Sequence, residues 1–258
     1  LRLSKINNKI DGFGKLFKLH WFRFKLITLQ QIQDAHKRIL PYVNYTPLVY
    51  SQYLSKNSKV KLKLENFQIT GSFKLRGAVN KLLSLSEREK QQGVIAVSTG
   101  NHGKGVAYAS KVLGIKSTIY MSSMVPNYRK EAIENLGAKV EIVGKNSDEA
   151  DLFAKQLSKE KNITLIHPFD DEDIIIGQGT VGLEMLKEFP EVDTVIIPTS
   201  GGGLISGIAK AIKLQKPDTK VIAVSMERGP SMYESLKKGE PVDVDEIETL
   251  ADCLGGSI

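Results

Sequence analysis

Val94-Ile95-Ala96-Val97-Ser98-Thr99-Gly100-Asn101-His102-Gly103 runs from an apolar, β-branched segment through a small-residue turn into a segment of helical period. Four apolar residues in a row suit a strand buried on both faces, and the short turn hands the chain straight to a helix. Strand, turn and helix in that order are half of a crossover unit, the connection that parallel strands require. The pattern continues outward. Ser117–Met121 and Lys139–Val143 read as strands, separated by helices over roughly His102–Leu113, Tyr128–Leu136 and Asp148–Lys159. Upstream, Val60–Leu64 reads as a strand, Ser72–Leu85 as a helix and Ser86–Gly93 as an exposed polar connection. Downstream, a helix near Thr180–Glu188 precedes a strand at Thr194–Ile197, a glycine loop, a helix through Lys213 and a strand at Lys220–Ser225. An α/β fold with parallel-rich sheets follows. The three units after residue 92 predict a small domain over 93–168. The stretches 27–92 and 169–258 predict a larger, discontinuous domain, the later stretch rejoining the sheet of the earlier one.

Composition bounds the partners. With 41% hydrophobic and 25% charged residues in 258, the chain has the balance of a folded, water-soluble protein. Its net charge of +7 is concentrated at one end, because Arg2, Lys5, Lys9, Lys15, Lys18, Arg23 and Lys25 face only Asp11 within residues 1–26. The body is close to neutral, so nucleic-acid binding is not expected. The basic arm interleaves Phe13, Phe17, Trp21, Phe22 and Phe24 and starts at Leu1. It is expected to be a poorly ordered extension, in preference to a membrane-surface helix or a leader, since it lacks a signal-peptide core and cleavage site. No apolar run is long enough to cross a bilayer, and the single Cys253 can form neither an intrachain disulfide nor a cysteine-based zinc site. A cytoplasmic protein without membrane partners is expected. The last residues, Leu254–Ile258, read as a loop with no closing element, so the C-terminal part of the fold is expected to be missing.

Three short motifs carry chemistry. In Ser72-Phe73-Lys74-Leu75-Arg76-Gly77 a lysine stands at a helix start between apolar neighbours. A lysine there is ordinarily solvated. Partial desolvation by Phe73 and Leu75 would lower its pKa and free a neutral amine to attack an aldehyde. Ser98–Gly103 follows a strand and opens a helix, so its unpaired N–H groups suit a carboxylate. By itself it is equally a plain turn with Asn101 in the left-handed region. Thr199-Ser200-Gly201-Gly202-Gly203-Leu204 also links strand to helix, and its consecutive glycines let backbone approach a phosphate. It matches neither a dinucleotide fingerprint nor a P-loop. An amine nucleophile, a carboxylate turn and a phosphate cup are what a pyridoxal-phosphate enzyme needs together.

Ser72–Gly77, Ser98–Gly103, Gly177-Gln178-Gly179-Thr180 and Ser200–Leu204 occur in the order that resembles the fold-type II pyridoxal-phosphate enzymes, the tryptophan synthase beta-like fold of two three-layer αβα domains. Over residues 28–258 the chain looks like the threonine dehydratase and serine racemase group. Val224–Gly229 and Leu250-Ala251-Asp252 are similar to the hydroxyectoine-utilisation dehydratases. The resemblance implies a homodimer and pyridoxal 5'-phosphate held on Lys74 as a Schiff base. Lys74 would also remove the α-proton of a small amino-acid substrate, and water or ammonia would then leave a hydroxy amino acid by α,β-elimination. By the same resemblance, Phe73 would flank the cofactor and Asn101 would bond its ring hydroxyl. Gly201, Gly202, Gly203 and Leu204 would give amides to its phosphate, and Ser98, Thr99, Gly100, Asn101 and His102 would surround the substrate carboxylate. Thr99 stands where racemases carry a serine and dehydratases an alanine, which leaves racemisation as an alternative, alongside β-replacement and a non-catalytic binding protein. Ser225 replaces an acidic metal ligand of the racemases, so no metal is expected. A polar residue that the family places beyond Ile258 would contact the ring nitrogen.

Overall fold

The computed structural model describes residues 26–245 and 249–255; apart from Leu26, the basic arm lies outside them. Helix α1 (Leu29–Ile39) starts at a capping box, in which the Thr28 hydroxyl accepts the Gln31 N–H and the Gln31 side chain accepts the Thr28 N–H. Strands β1 (Leu48–Tyr50) and β2 (Lys61–Lys63) pair antiparallel. Helix α2 (Lys74–Ser84) follows, buried along Leu75, Ala78, Val79 and Leu82.

The stretch read as an exposed connection, Ser86–Gly93, is instead helix α3 (Glu87–Gln92). The Ser86 hydroxyl accepts the Glu89 N–H at 3.3 Å while the Glu89 carboxylate accepts the Ser86 N–H at 2.8 Å. That reciprocal cap satisfies two donors of a helix too short to be recognised by apolar period.

Next come β3 (Val94–Val97), α4 (Asn101–Val112), β4 (Ser117–Met121), α5 (Asn127–Glu134), β5 (Lys139–Ile142), α6 (Ser147–Lys161) and β6 (Thr164–Leu165). All four strands are parallel, in the order β5-β4-β3-β6. Ala96, Ile119 and Met121 from this sheet, Val106 and Ala109 from α4 and the buried face of α2 share one core. Helices α2 and α4, which carry two of the motifs, therefore share the core under this sheet, and α4 follows β3 directly.

Helix α7 (Glu172–Glu188) begins eight residues before the expected Thr180, capped by the Asp171 carboxylate on the Ile174 N–H at 3.1 Å. Gly177, Gly179 and Gly182 lie inside this helix, where glycine weakens helical preference, and here they allow close packing. A Cβ on Gly177 would lie 2.7 Å from the Cα of Gly77 in α2, so the two helices cross backbone to backbone. The Gly177–Thr180 motif thus serves packing in this structure. Strand β7 (Thr194–Pro198), α8 (Gly203–Lys213), β8 (Lys220–Val224) and α9 (Ser231–Lys238) complete the larger elements. Strands β7 and β8 run parallel over a second core of Val181, Val195, Ile197, Ile208 and Ile212. Among the described residues they pair with each other and not with β1 and β2, so the expected rejoining of the first sheet is not seen.

Candidate active site

Lys74 is the first residue of α2, with Phe73 as its N-cap and the Phe73 ring 5.4 Å from its Nζ. The side chain is partly buried, and Nζ donates to the carbonyl of Pro168 at 2.8 Å. Burial pushes its pKa down to about 8, opposed in part by Cys253. A neutral acceptor gives the ammonium little reason to keep its proton once water is removed. Lys74 thus has the desolvation that its apolar neighbours suggested, and its amine gives up a proton more readily than a solvated lysine does.

The second motif lies on the same side. Asn101 is the first residue of α4 and not a left-handed turn residue; among the described residues the non-glycine at positive φ is Asn162. The first bond of the helix runs from the Lys104 N–H to the Gly100 carbonyl, which leaves the amides of its first turn without intrahelical acceptors. Ser98 Oγ accepts the Gly100 N–H at 3.2 Å and shapes the turn, with Thr99 half-buried between them. The Asn101 amide reaches Cys253 Sγ at 3.8 Å. His102 is different: its ring is buried, and Nε2 donates to the Ile166 carbonyl at 2.9 Å. Burial first, and then the charge of Lys74, push its pKa down to about 3. Its imidazole is a neutral packing group, so only its backbone amide is left for an anion.

The third motif makes a cradle. Gly202 caps α8 at φ +87°, a left-handed conformation that suits glycine. A Cβ on Gly201 would collide with the ring of Phe169, and one on Gly203 would lie 2.8 Å from the Phe169 carbonyl. The loop thus lies flat on Phe169. The first-turn amides of α8, from Gly203 and Leu204 onward, have no intrahelical acceptor, and the helix dipole adds partial positive charge there. The Ser200 hydroxyl donates to the Gly255 carbonyl at 3.3 Å, so residues 253–255 touch both the cradle and the α4 turn.

Residues 39–258 match the family described as pyridoxal-phosphate dependent enzyme. The chain belongs to that family. A Sinorhizobium fredii protein named provisionally as a threonine dehydratase is 46% identical over 234 residues, covering 90% of this chain and 70% of its own length. The catabolic L-threonine dehydratase TdcB of Staphylococcus aureus is 45% identical over 230 residues, 88% of this chain and 66% of the relative. Among solved structures, maize serine racemase superposes with a TM-score of 0.83 at 35% identity, over 88% of this chain and 69% of that one. The chain spans about two thirds of the length of these relatives.

For a pyridoxal-phosphate enzyme the residues present fit the cofactor. A desolvated amine suits an aldehyde, and the glycine loop, packed on Phe169 so closely that Gly201 admits no Cβ, offers first-turn amides of α8 suited to a phosphate.

Sequence reading missed what surrounds Arg76, two residues after the lysine. Its guanidinium is fully buried and donates to Glu65 through Nε (2.9 Å) and Nη2 (2.9 Å), and to Glu184 through Nη1 (2.6 Å) and Nη2 (2.9 Å). Lys63 joins Glu184 at 2.6 Å, and the Thr46 hydroxyl donates to Glu65 at 2.5 Å. Burial works against the Arg76 charge, but the bonds to Glu65 and Glu184 outweigh it and hold its pKa above the ordinary value. This cluster ties the first turn of α2 to β2 and α7. The partners lie up to 108 residues from Arg76, and no local pattern announces them.

Proposed function

We propose that the protein is a dehydratase or ammonia-lyase acting on a hydroxy amino acid, threonine or serine, by α,β-elimination. The observation that carries this reading is the Lys74 amine, depressed to about 8 and set beside two open helix N-termini. The kinship with proteins named threonine dehydratase supports the choice of reaction.

Lys74 would hold the cofactor and, once displaced by the substrate amine, accept the α-proton. A group with a pKa near 8 does this efficiently at neutral pH. The bound cofactor supplies an electron sink for the pair left on the α-carbon. Gly201, Gly202, Gly203 and Leu204 would hold its phosphate, while Phe73 and Asn101 would bear on its ring. Ser98, Thr99, Gly100 and the His102 amide would hold the substrate carboxylate and so set which bond at the α-carbon lies across the ring. The β-hydroxyl then leaves as water, and hydrolysis of the product releases ammonia and a 2-oxo acid. Residues 93–168 would act as a small domain carrying the carboxylate turn against the larger domain with Lys74 and the cradle.

Borohydride reduction of the cofactor-loaded protein followed by peptide mapping tests the assignment: the label belongs on Lys74, and a label on another lysine would refute it. Product analysis with threonine, serine and a hydroxyectoine-derived amino acid then ranks substrates within the class. Thr99 retains a hydroxyl at the position where racemases carry one, which favours racemisation as the second reading. Chiral analysis of serine recovered after incubation separates the two.

A further inference from the structure

The segment Ile166–Asp173, which runs through a turn into the first residues of α7, touches one or more residues of each of the three motifs. Ile166 receives the His102 ring, Pro168 receives the Lys74 amine, Phe169 lies under Gly201 and Gly203, and Asp171 and Asp173 bind Lys81 of α2 at 2.7 and 3.3 Å. What gives the turn its shape is the ring of His167. Its Nδ1 accepts the N–H of Phe169 at 3.3 Å and of Asp170 at 2.8 Å, as an Asn or Asp side chain does in a tight turn. The ring also meets Phe169 edge to face, with centroids 4.7 Å apart. Nδ1 can accept these two bonds only while it carries no proton, so the neutral Nε2–H tautomer is the one the turn requires.

Resting on the function proposed above, we infer that His167 is a positioning residue for that reaction: by accepting the Phe169 and Asp170 amides it aims the Pro168 carbonyl at Lys74 and seats Phe169 beneath the phosphate cradle. Protonation of Nδ1 turns the acceptor into a donor facing two donors, and the turn must open. The carbonyl then loses its aim and Lys74 its fixed position.

Several groups face the ring. Asp170 and Asp171 on the turn and Asp151 on α6 pull its pKa up, whereas burial, the largest influence, and Lys155 on α6 pull it down; burial prevails. His102 on α4 lies nearby and stays neutral. Because the His167 pKa lies below the ordinary histidine value, the turn is still closed at 6.5 and opens only at a more acid pH.

The experiment is the pH profile of borohydride capture of pyridoxal phosphate on Lys74, which needs no turnover, run on the intact protein and on His167→Asn and His167→Ala. Wild type should show a one-proton slope below about pH 8, from Lys74, steepening to two protons at more acid pH as His167 titrates. His167→Asn keeps an acceptor that does not titrate; it should capture within about threefold of wild type at pH 8 and keep the one-proton slope throughout. His167→Ala should be about tenfold slower at pH 8. Should that variant fail to fold, the slope of His167→Asn decides. A two-proton slope in His167→Asn, or wild-type capture by a folded His167→Ala, overturns the inference. Capture on a lysine other than Lys74 in wild type instead overturns the function proposed above.

Discussion

Lys74 and Arg76 stand two residues apart in the first turn of one helix, both drawn away from water, and their surroundings treat them in opposite ways. Arg76 meets the carboxylates of Glu65 and Glu184, which hold its charge in place against burial. Lys74 meets the neutral carbonyl of Pro168, and burial prevails over the opposing pull of Cys253, bringing its pKa to about 8. The chemistry of the acceptor thus separates a cation that serves as a fastening from one that can give up its proton. The fastening also holds the turn from which the reactive amine projects.

The largest break in this comparison comes from removing the amine. Lys74→Ala should lower turnover at least about a thousandfold, since the proposed nucleophile and proton acceptor disappear together. Lys74→Arg should do the same while keeping the charge. Substantial turnover by either variant, in an assay of 2-oxo acid release, would mean that the charge and not the transferable proton is what matters. Next in size is Glu184→Ala, which takes a buried carboxylate from both cations, leaving Arg76 with Glu65 and Lys63 with Glu188 and the Thr46 carbonyl. Removing one partner of a buried ion pair costs about 3–5 kcal/mol, read as a fall in the urea midpoint. A cost under about 1 kcal/mol would show that water reaches Arg76 and that the two cations are less unlike than their geometry suggests.

The same pair shows how far sequence carries. Strands at Val94–Val97 and Ser117–Met121 were legible to the residue, the first because a strand buried on both faces writes its burial as an unbroken apolar run. Ser98–Gly103 and Thr199–Leu204 were legible as turns between strand and helix and Ser72–Gly77 as a helix start, and the fold brings them to one place. Lys74 was singled out from its apolar neighbours, but Arg76, inside the same motif, was not. Its meaning depends on Glu65 and Glu184, which arrive through tertiary contacts. His167 carried no signal either, since Nδ1 acceptance of the next two amides is a property of the folded turn. The start of α7 was hidden for a related reason: Gly177 weakens the helical pattern locally, and its benefit appears only where Gly77 packs against it.

The smallest effect is the one that most sharpens the contrast, because its sign is opposite to that of Glu184→Ala. A lysine whose pKa falls from 10.5 to about 8 on folding destabilises the folded state wherever it is protonated in both states. Below pH 8 the full penalty applies, roughly 3 kcal/mol before allowing for residual solvent contact and about 2 after it. Between pH 8 and 10.5 the folded protein releases the proton while the unfolded chain retains it, so the penalty fades. Above 10.5 both states are neutral and it is gone. Lys74→Met, which fills similar space without a charge, should therefore raise the stability of the cofactor-free protein by about 2 kcal/mol at pH 7, with the gain shrinking steadily by pH 9.5. Urea midpoints at those two pH values measure it. A constant gain would point to packing as its cause, and a loss would mean that the Pro168 carbonyl stabilises the ammonium far more than a neutral acceptor should. The expected outcome, a protein made firmer by deleting the residue it needs, follows from the cost of keeping an amine dry enough to react.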